Sequence, residues 1–477
     1  MKKILAALTL TFIAASALAQ TGTWNGKLDV SGTTLSLVFH MGDSTATLDV
    51  PDQGAKAIPV SVKRSAFGSV ELGIPSINAS YKGLWTGKLI TGTFTQNGMS
   101  FTLPLVPGAP VLRRPQTPVG PFAYVNADVS FSNGDAVLKG TLTMPENCSR
   151  QTPVLLMVTG SGLQNRDEEI FGHKPFAVIA DAFANARIAT LRYDDRGFGE
   201  STGDAVSCTT EDLKNDALAG IGLLREKFDH VGVLGHSEGG SIALMLAAEG
   251  KADFVISLAG MVASGSETLL DQNRRALQMA GMPESETNNY CRFLADAYAA
   301  VVNDMPLPSP ESYYLSAALK QNASMLSASL KTPYMKYFLK MNASDILGSV
   351  KCPVMALNGT KDIQVSCERN LSLLRQGLPG GYSESVPAND SVSNLCSVSG
   401  SHSRSASVSA AETRSVSRSA SVPDNSSVNV IKAEAGLNHL FQHCRTGEMS
   451  EYKEIEETFS QDVLAEMITW LHFLFAR

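Results

Sequence analysis

Basic residues are scarce in this chain and scattered along it. Lys and Arg total 39 against 46 Asp and Glu, a net charge of −7. That balance excludes a general polyanion binder, and no nucleic-acid partner is expected. Beyond the N-terminus no run of some twenty apolar residues occurs, so no membrane span is expected. Cysteine is sparse too. Cys148, Cys208, Cys291, Cys352, Cys367, Cys396 and Cys444 are odd in number and irregularly spaced. They exclude a disulfide scaffold and leave at least one thiol unpaired within a monomer.

The N-terminus reads as a leader. Lys2 and Lys3 precede an apolar run from Ile4 to Ala15, followed by Ala17-Leu18-Ala19. A basic flank, a short apolar core and a small-residue triplet define a secretory signal over 1–19, cleaved near Ala19. No Cys follows the triplet, so a lipid anchor is not expected. A bacterial periplasmic or secreted location is.

Residues 20–112 alternate apolar and polar side chains, as in "KLDVSGTTLSLVF", and predict a small all-β domain. "GTWNGKL" at 22–28 is echoed by "GLWTGKL" at 83–89, which places Trp24 and Trp85 at equivalent points of two similar hairpins. Five prolines in 106–122 mark a linker, assigned to 113–124. From 125 to 477 strands alternate with helices, the pattern of a mostly parallel sheet covered on both faces. "PVLLMV", "IATLRY", "HVGVLG", "FVISLAG", "CPVMALNG" and "NVIKAEA" are the strands. The strand rhythm lapses over 262–350, where helical stretches predict a cap. Residues 383–428 carry 17 serines in 46 positions and no aromatic residue. So little apolar surface cannot offset ordering entropy, and the segment reads as a disordered insertion.

Two stretches fit G-x-S-x-G, the pattern around many hydrolytic nucleophiles: Gly199–Gly203 around Ser201, and Gly235–Gly239 around Ser237. With 39 glycines in 477 residues, roughly 0.3 matches arise by chance, so context decides. A nucleophile at a strand–turn–helix junction stands above the sheet, with the helix N-terminus facing the developing oxyanion. "HVGVLG" and "GGSIALMLAAEG" supply that strand and that helix around Ser237. Ser201 lies in a polar loop, with no strand immediately before it and no helix directly after. Ser237 is the candidate.

A serine needs a base and an orienting acid, which in this topology follow at strand ends in the order Ser, Asp, His. Asp362 follows "CPVMALNG", and His439 follows "NVIKAEA" by four residues. His443, the competitor, is placed in a following helix. A metal site of His439, His443 and Cys444 lacks further clustered ligands, and neither metal nor cofactor is expected. Asp362 and His439 are 77 residues apart, and 31 remain without the insertion, enough for one helix and one strand. For the oxyanion, one backbone N–H is expected from Glu238. The other is expected from the "TGSGLQNRDE" loop at 159–168, at Ser161 or its neighbour Gly162.

The "GSG…RDE" loop, "YDDRGFGES" turn, "GHSEGG" elbow, "GTKD" and "LNHLFQ" together resemble the α/β-hydrolase fold superfamily, in particular secreted bacterial serine esterases and serine aminopeptidase-like hydrolases. The resemblance runs from about 125 to 477 and implies a carboxylesterase with Ser237 as nucleophile, Asp362 as acid and His439 as base. Its substrate would be a small-molecule ester carrying a short acyl chain. A peptidase or thioesterase could use the same three residues. A glycan-binding surface protein with an inert hydrolase domain is the reading from another class. The 46-residue insertion departs from the family pattern.

Overall fold

The computed structural model describes residues 21–30, 33–43, 45–50, 55–65, 68–108, 113–386 and 428–475. The leader at 1–19 and Cys396 lie outside them, as does the serine-rich segment from 387 to 427. The chain forms two compact units, divided between Arg113 and Arg114.

The first unit is a nine-stranded antiparallel sheet. Its strands are β1 (Gly22–Val30), β2 (Thr33–Met41), β3 (Thr45–Val50), β4 (Ala55–Arg64), β5 (Ser69–Ile74), β6 (Ala79–Trp85), β7 (Ile90–Gln96), β8 (Met99–Thr102) and β9 (Val106–Pro107). They run in the order β8-β7-β6-β5-β4-β3-β2-β1-β9, so each sequence neighbour up to β8 is also a spatial one. Alternate residues such as Phe39, Leu48, Leu72, Tyr81 and Phe94 build one core. The two tryptophans are not equivalent. Trp24 is buried within β1 opposite Phe39, whereas Trp85 is half-buried and ends β6 at the turn closed by Thr86 N–H on the Leu89 carbonyl.

The second unit is built on an eight-stranded sheet: β10 (Tyr124–Asn133), β11 (Ala136–Pro145), β12 (Val154–Val158), β13 (Ala189–Tyr193), β14 (Val231–His236), β15 (Val255–Leu258), β16 (Val354–Gly359) and β17 (Val430–Glu434). The order is β10-β11-β13-β12-β14-β15-β16-β17. The first two pairings are antiparallel and the rest parallel. Each of the six predicted strands is present. β12, β13 and β14 are buried along their whole length because both faces are covered.

Helices α1 (Pro175–Asn185), α2 (Thr210–Arg225) and α3 (Glu238–Ala248) follow β12, β13 and β14 in turn. Four more, α4 (Gly265–Met279), α5 (Glu284–Val302), α6 (Ala317–Ser329) and α7 (Pro333–Lys340), intervene between β15 and β16. α8 (Cys367–Gly377) follows β16, and α9 (Met449–Tyr452) and α10 (Gln461–Phe475) close the unit. Along β12, Leu155 and Met157 pack into one core with Phe176, Phe183 and Trp470 of α1 and α10. Val154, Leu156 and Val158 pack into the other with Ala217, Leu224 and Leu371 of α2 and α8. Each fully buried Leu or Phe contributes about 1.5–3 kcal/mol, so this two-sided burial holds the strand ends rigid. The inserted helices have a core of their own around Tyr290, Phe293, Leu294, Tyr298 and Leu319.

The proline-rich stretch read as a linker is anchored from Arg114 onward. The Arg114 guanidinium donates to the carbonyls of Phe171, Lys453 and Ile455, and Gln116 pairs with the backbone of Phe459. Proline content signals an absence of regular structure, and side-chain anchors leave no such signal.

The topology fixes where a site can form. β12 is flanked by β13 on one side and β14 on the other, so successive connections leave its C-terminal end in opposite directions. At such a switch point the loops diverge and leave a crevice. The 159–168 loop after β12 and Ser237 after β14 both lie there.

Candidate active site

Ser237 stands between the last residue of β14 and the first of α3, with φ 54° and ψ −118°. Positive φ in a non-glycine residue is strained and persists only where the surroundings impose it. The glycines around it are sterically required. A Cβ on Gly235 would lie 1.9 Å from the Gly239 carbonyl oxygen, and one on Gly239 would lie 2.1 Å from that of Val158. The Ser237 N–H donates to the Leu258 carbonyl at 2.9 Å, which fixes the elbow to β15.

Ser201 has a different setting. Its hydroxyl donates to the Asp194 carbonyl at 2.7 Å and accepts from Lys139 N–H at 2.9 Å. The "YDDRGFGES" turn containing it is a scaffold for the 159–168 loop. Asp194 accepts from Arg166 N–H at 2.7 Å and from its guanidinium, while Asp195 accepts from Thr159 Oγ1 and Gln164 N–H. Burial pushes the Asp195 carboxyl up to about 8. Ser201→Ala is therefore expected to keep near wild-type turnover while lowering Tm. Two hydrogen bonds of about 1 kcal/mol each are lost. Turnover assays and thermal melts on the purified variant check both parts.

Asp362 lies three residues past β16, buried, with every carboxylate lone pair directed at a donor. Oδ1 accepts from Gln364 N–H at 2.8 Å and Val365 N–H at 2.9 Å. Oδ2 accepts from the Asn358 amide at 2.9 Å and from His439 Nδ1 at 2.7 Å. Asn358, the penultimate residue of β16, belongs to no motif that would mark it in the sequence. His439 sits in the loop after β17, where Asn438 Oδ1 accepts from the N–H groups of Leu440 and Gln442. A Cβ on Gly359 would lie 2.2 Å from the Leu437 carbonyl oxygen, so the glycine lets the two loops meet. With Nδ1 committed to Asp362, Nε2 is the nitrogen left to serve a hydroxyl. Ser237 and His439 line one cavity of about 400 Å³.

His443 is not in a helix. It closes the loop by a bridge to Leu437, and its Nδ1 pairs with Glu457 Oε2 at 2.9 Å near the surface. Asn438 and Gln442 hydrogen-bond locally, and such side chains compete with helix formation. Helix resumes only at Met449.

The oxyanion candidates flank the serine. Glu238 opens α3, and its carboxylate is buried, accepting from Thr210 Oγ1 at 2.6 Å and from the Tyr334 hydroxyl of α7 at 2.5 Å. Across the cavity, Gly160 is pressed so close that a Cβ on it would lie 3.1 Å from the Ser237 Cβ. Its N–H is spent on Glu168 Oε1 at 2.8 Å. The next residue, Ser161, lines the cavity with Ser237.

Two buried residues within the quoted motifs received no role from sequence. His236, the residue before the serine, places Nδ1 2.9 Å from Glu168 Oε1 and Nε2 2.9 Å from the His439 carbonyl oxygen.

Residues 174–366 match the family model described as serine aminopeptidase, S33. The second unit has the α/β-hydrolase fold. The chain is also similar to the esterase EstD of Thermotoga maritima, 32% identical over 166 residues. That stretch is 34% of this chain and spans 39% of the length of the curated relative. Among solved structures it is similar to the Pyrococcus furiosus esterase Pf2001, at 17% identity and a TM-score of 0.36, covering 57% of this chain and 87% of that one. It is also similar to a proline iminopeptidase of Mycobacterium smegmatis, at 17% identity and a TM-score of 0.36, covering 53% and 87%.

Proposed function

We propose that the chain is an exported serine hydrolase that cleaves carboxylic esters through an acyl-enzyme. The observation that carries this reading is the 2.7 Å contact of His439 Nδ1 with Asp362, in a histidine that shares its cavity with the elbow serine. His439 Nε2 takes the Ser237 hydroxyl proton as Oγ attacks the ester carbonyl. The oxyanion is stabilised by the N–H groups of Glu238 and Ser161. As the tetrahedral intermediate collapses, the alkoxy C–O bond breaks and the imidazolium returns its proton to the leaving alcohol. Water then repeats the sequence on the acyl-enzyme, releasing the acid and restoring Ser237. Asp362 holds the imidazole in the tautomer with Nδ1–H and stabilises its cation. The basic flank, apolar run and Ala17-Leu18-Ala19 triplet support export, with a mature N-terminus at Gln20.

The cavity lining favours an ester over an aminoacyl substrate. Its walls are largely apolar, with Met261, Leu269, Met335, Phe338 and Met449 among them. Its acidic lining residue, Glu168, is already held by His236 and Gly160 N–H. The α-ammonium of an aminoacyl group would be desolvated there beside a carboxylate that is already paired with His236. A panel of p-nitrophenyl esters, acyl thioesters and aminoacyl p-nitroanilides tests this. Ester kcat/KM is expected to exceed that for the anilides by about a hundredfold or more. Preference for the anilides would overturn the ester reading in favour of an aminopeptidase, and preference for the thioesters would make the chain a thioesterase.

A further inference from the structure

His236 is buried between two acceptors, an arrangement that favours the charged ring when Glu168 is a carboxylate. A neutral imidazole carries one N–H and one lone pair. Here Nδ1 faces the Glu168 carboxylate and Nε2 faces the His439 carbonyl oxygen, each at 2.9 Å. A neutral ring would satisfy one of them and turn a lone pair on the other. The imidazolium satisfies both. Glu168 in turn accepts from Gly160 N–H at 2.8 Å, and Gly160 abuts the nucleophile and precedes Ser161. Glu168 itself has φ 52°, an uncommon conformation for a side-chain-bearing residue and one the surrounding contacts must hold.

We infer that a protonated His236, paired with Glu168, is a positioning residue that ties the backbone of the base to the oxyanion loop. The inference rests on the reading of His439 as the base and Ser161 as an oxyanion donor. The connection runs in one line, from the His439 carbonyl through the His236 ring and the Glu168 carboxylate to Gly160. It joins loops after β17 and β12 that are otherwise separate in sequence by more than 250 residues. The two imidazole rings lie 4.6 Å apart, tilted by 49°, so His236 also puts a fixed cation beside the base.

The charged groups around His236 agree with this assignment. Glu168 faces it from the loop after β12, and His439, with Asp362 behind it, faces it from the loops after β17 and β16. Asp195 interacts with Glu168 from the turn after β13. On one side the ring shares a small void with the apolar Phe176 and Ile179 of α1, Leu258 of β15, and Leu440, Phe441 and Phe459, and on the other it lines the cavity beside Ser237, with the tyrosines Tyr334 and Tyr452 also in that lining. Burial among them opposes the charge, but the attraction of Glu168 and the hydrogen bonds to Glu168 and the His439 carbonyl outweigh it and raise His236 above its ordinary 6.5. A raised value means that the stabilisation is complete below pH 6.5 and is lost as pH rises through the raised value. Catalysis then requires His439 neutral and His236 charged, and the pH profile is a bell whose alkaline limb belongs to His236.

The experiment is the pH dependence of kcat/KM on a p-nitrophenyl ester for the wild type, H236Q, E168Q and D195N. It is accompanied by NMR of wild-type protein carrying ring-13C histidine. The wild type should show a falling alkaline limb above pH 6.5. H236Q should lose that limb and fall by about ten- to a hundredfold at the optimum. E168Q should move the limb to lower pH, because the cation loses its partner. D195N should keep the limb, which separates His236 from the nearby carboxyl that titrates at about 8. A buried histidine resonance charged at pH 7 should be present in the wild type and absent from H236Q. Should H236Q not fold, the response of that resonance to E168Q assigns it. A wild-type alkaline limb that is absent, or that persists unchanged in H236Q, overturns the inference, as does a neutral His236 signal at pH 6. Wild-type activity that survives S237A would instead remove the reading beneath it.

Discussion

Ser237→Ala is expected to lower ester turnover by about 10⁶ and to leave the melting temperature unchanged, because the substitution removes one oxygen and nothing that holds the fold. The Ser237 backbone keeps its 2.9 Å bond to Leu258, and the flanking glycines still fit. What would disappear is the atom proposed to attack the carbonyl. The residual rate is that of water in a cavity that still presents two N–H groups to the oxyanion. Stopped assays at high enzyme concentration together with calorimetry measure both quantities. A variant with a tenth of wild-type activity would mean that another group is the nucleophile.

Asp362→Asn is expected to cost about 10⁴ in kcat with the fold retained. The carboxylate accepts four hydrogen bonds, from Asn358, Gln364, Val365 and His439. An amide has one oxygen. Placed to satisfy the two backbone N–H groups, it turns its NH₂ toward His439 Nδ1. The imidazole must then carry its proton on Nε2, where it can no longer accept one from Ser237. His439→Ala is expected to lose as much. His443→Ala is expected to change little, since that ring pairs with Glu457 near the surface. Equal losses at His439 and His443 would show that disturbance of the loop, and not removal of a base, is being measured.

Much of the second unit was legible in the sequence, for physical reasons. Strands buried on both faces, such as Val154–Val158, read as unbroken apolar runs, and the helix after Ser237 opens on glycines that no other residue could replace. Two matches to one serine pattern could be told apart because an elbow needs a strand before it and a helix after it. Ser201 has neither, and its hydroxyl is occupied with Asp194 and Lys139. That Asp362 and His439 meet could be expected from their positions past strand ends, where a parallel sheet collects its loops.

What escaped was whatever depends on partners distant in sequence. Glu168 and His236 both stood in quoted motifs, but their pairing across 68 residues requires β12 beside β14. Tyr334 reaches Glu238 from an inserted helix whose docking no local pattern encodes. The helix expected at His443 was lost to the hydrogen bonds of Asn438 and Gln442, and the tryptophan echo fell on one mid-strand and one strand-end position.

The central claim is that Ser237, activated by His439, is the nucleophile. Labelling the wild type with a fluorophosphonate, followed by intact mass and peptide mapping, tests it most directly. The account predicts one adduct per chain, on the peptide containing Ser237, with labelling abolished in S237A and strongly slowed in H439A. An adduct on the peptide containing Ser201, or stoichiometric labelling of S237A, would contradict it.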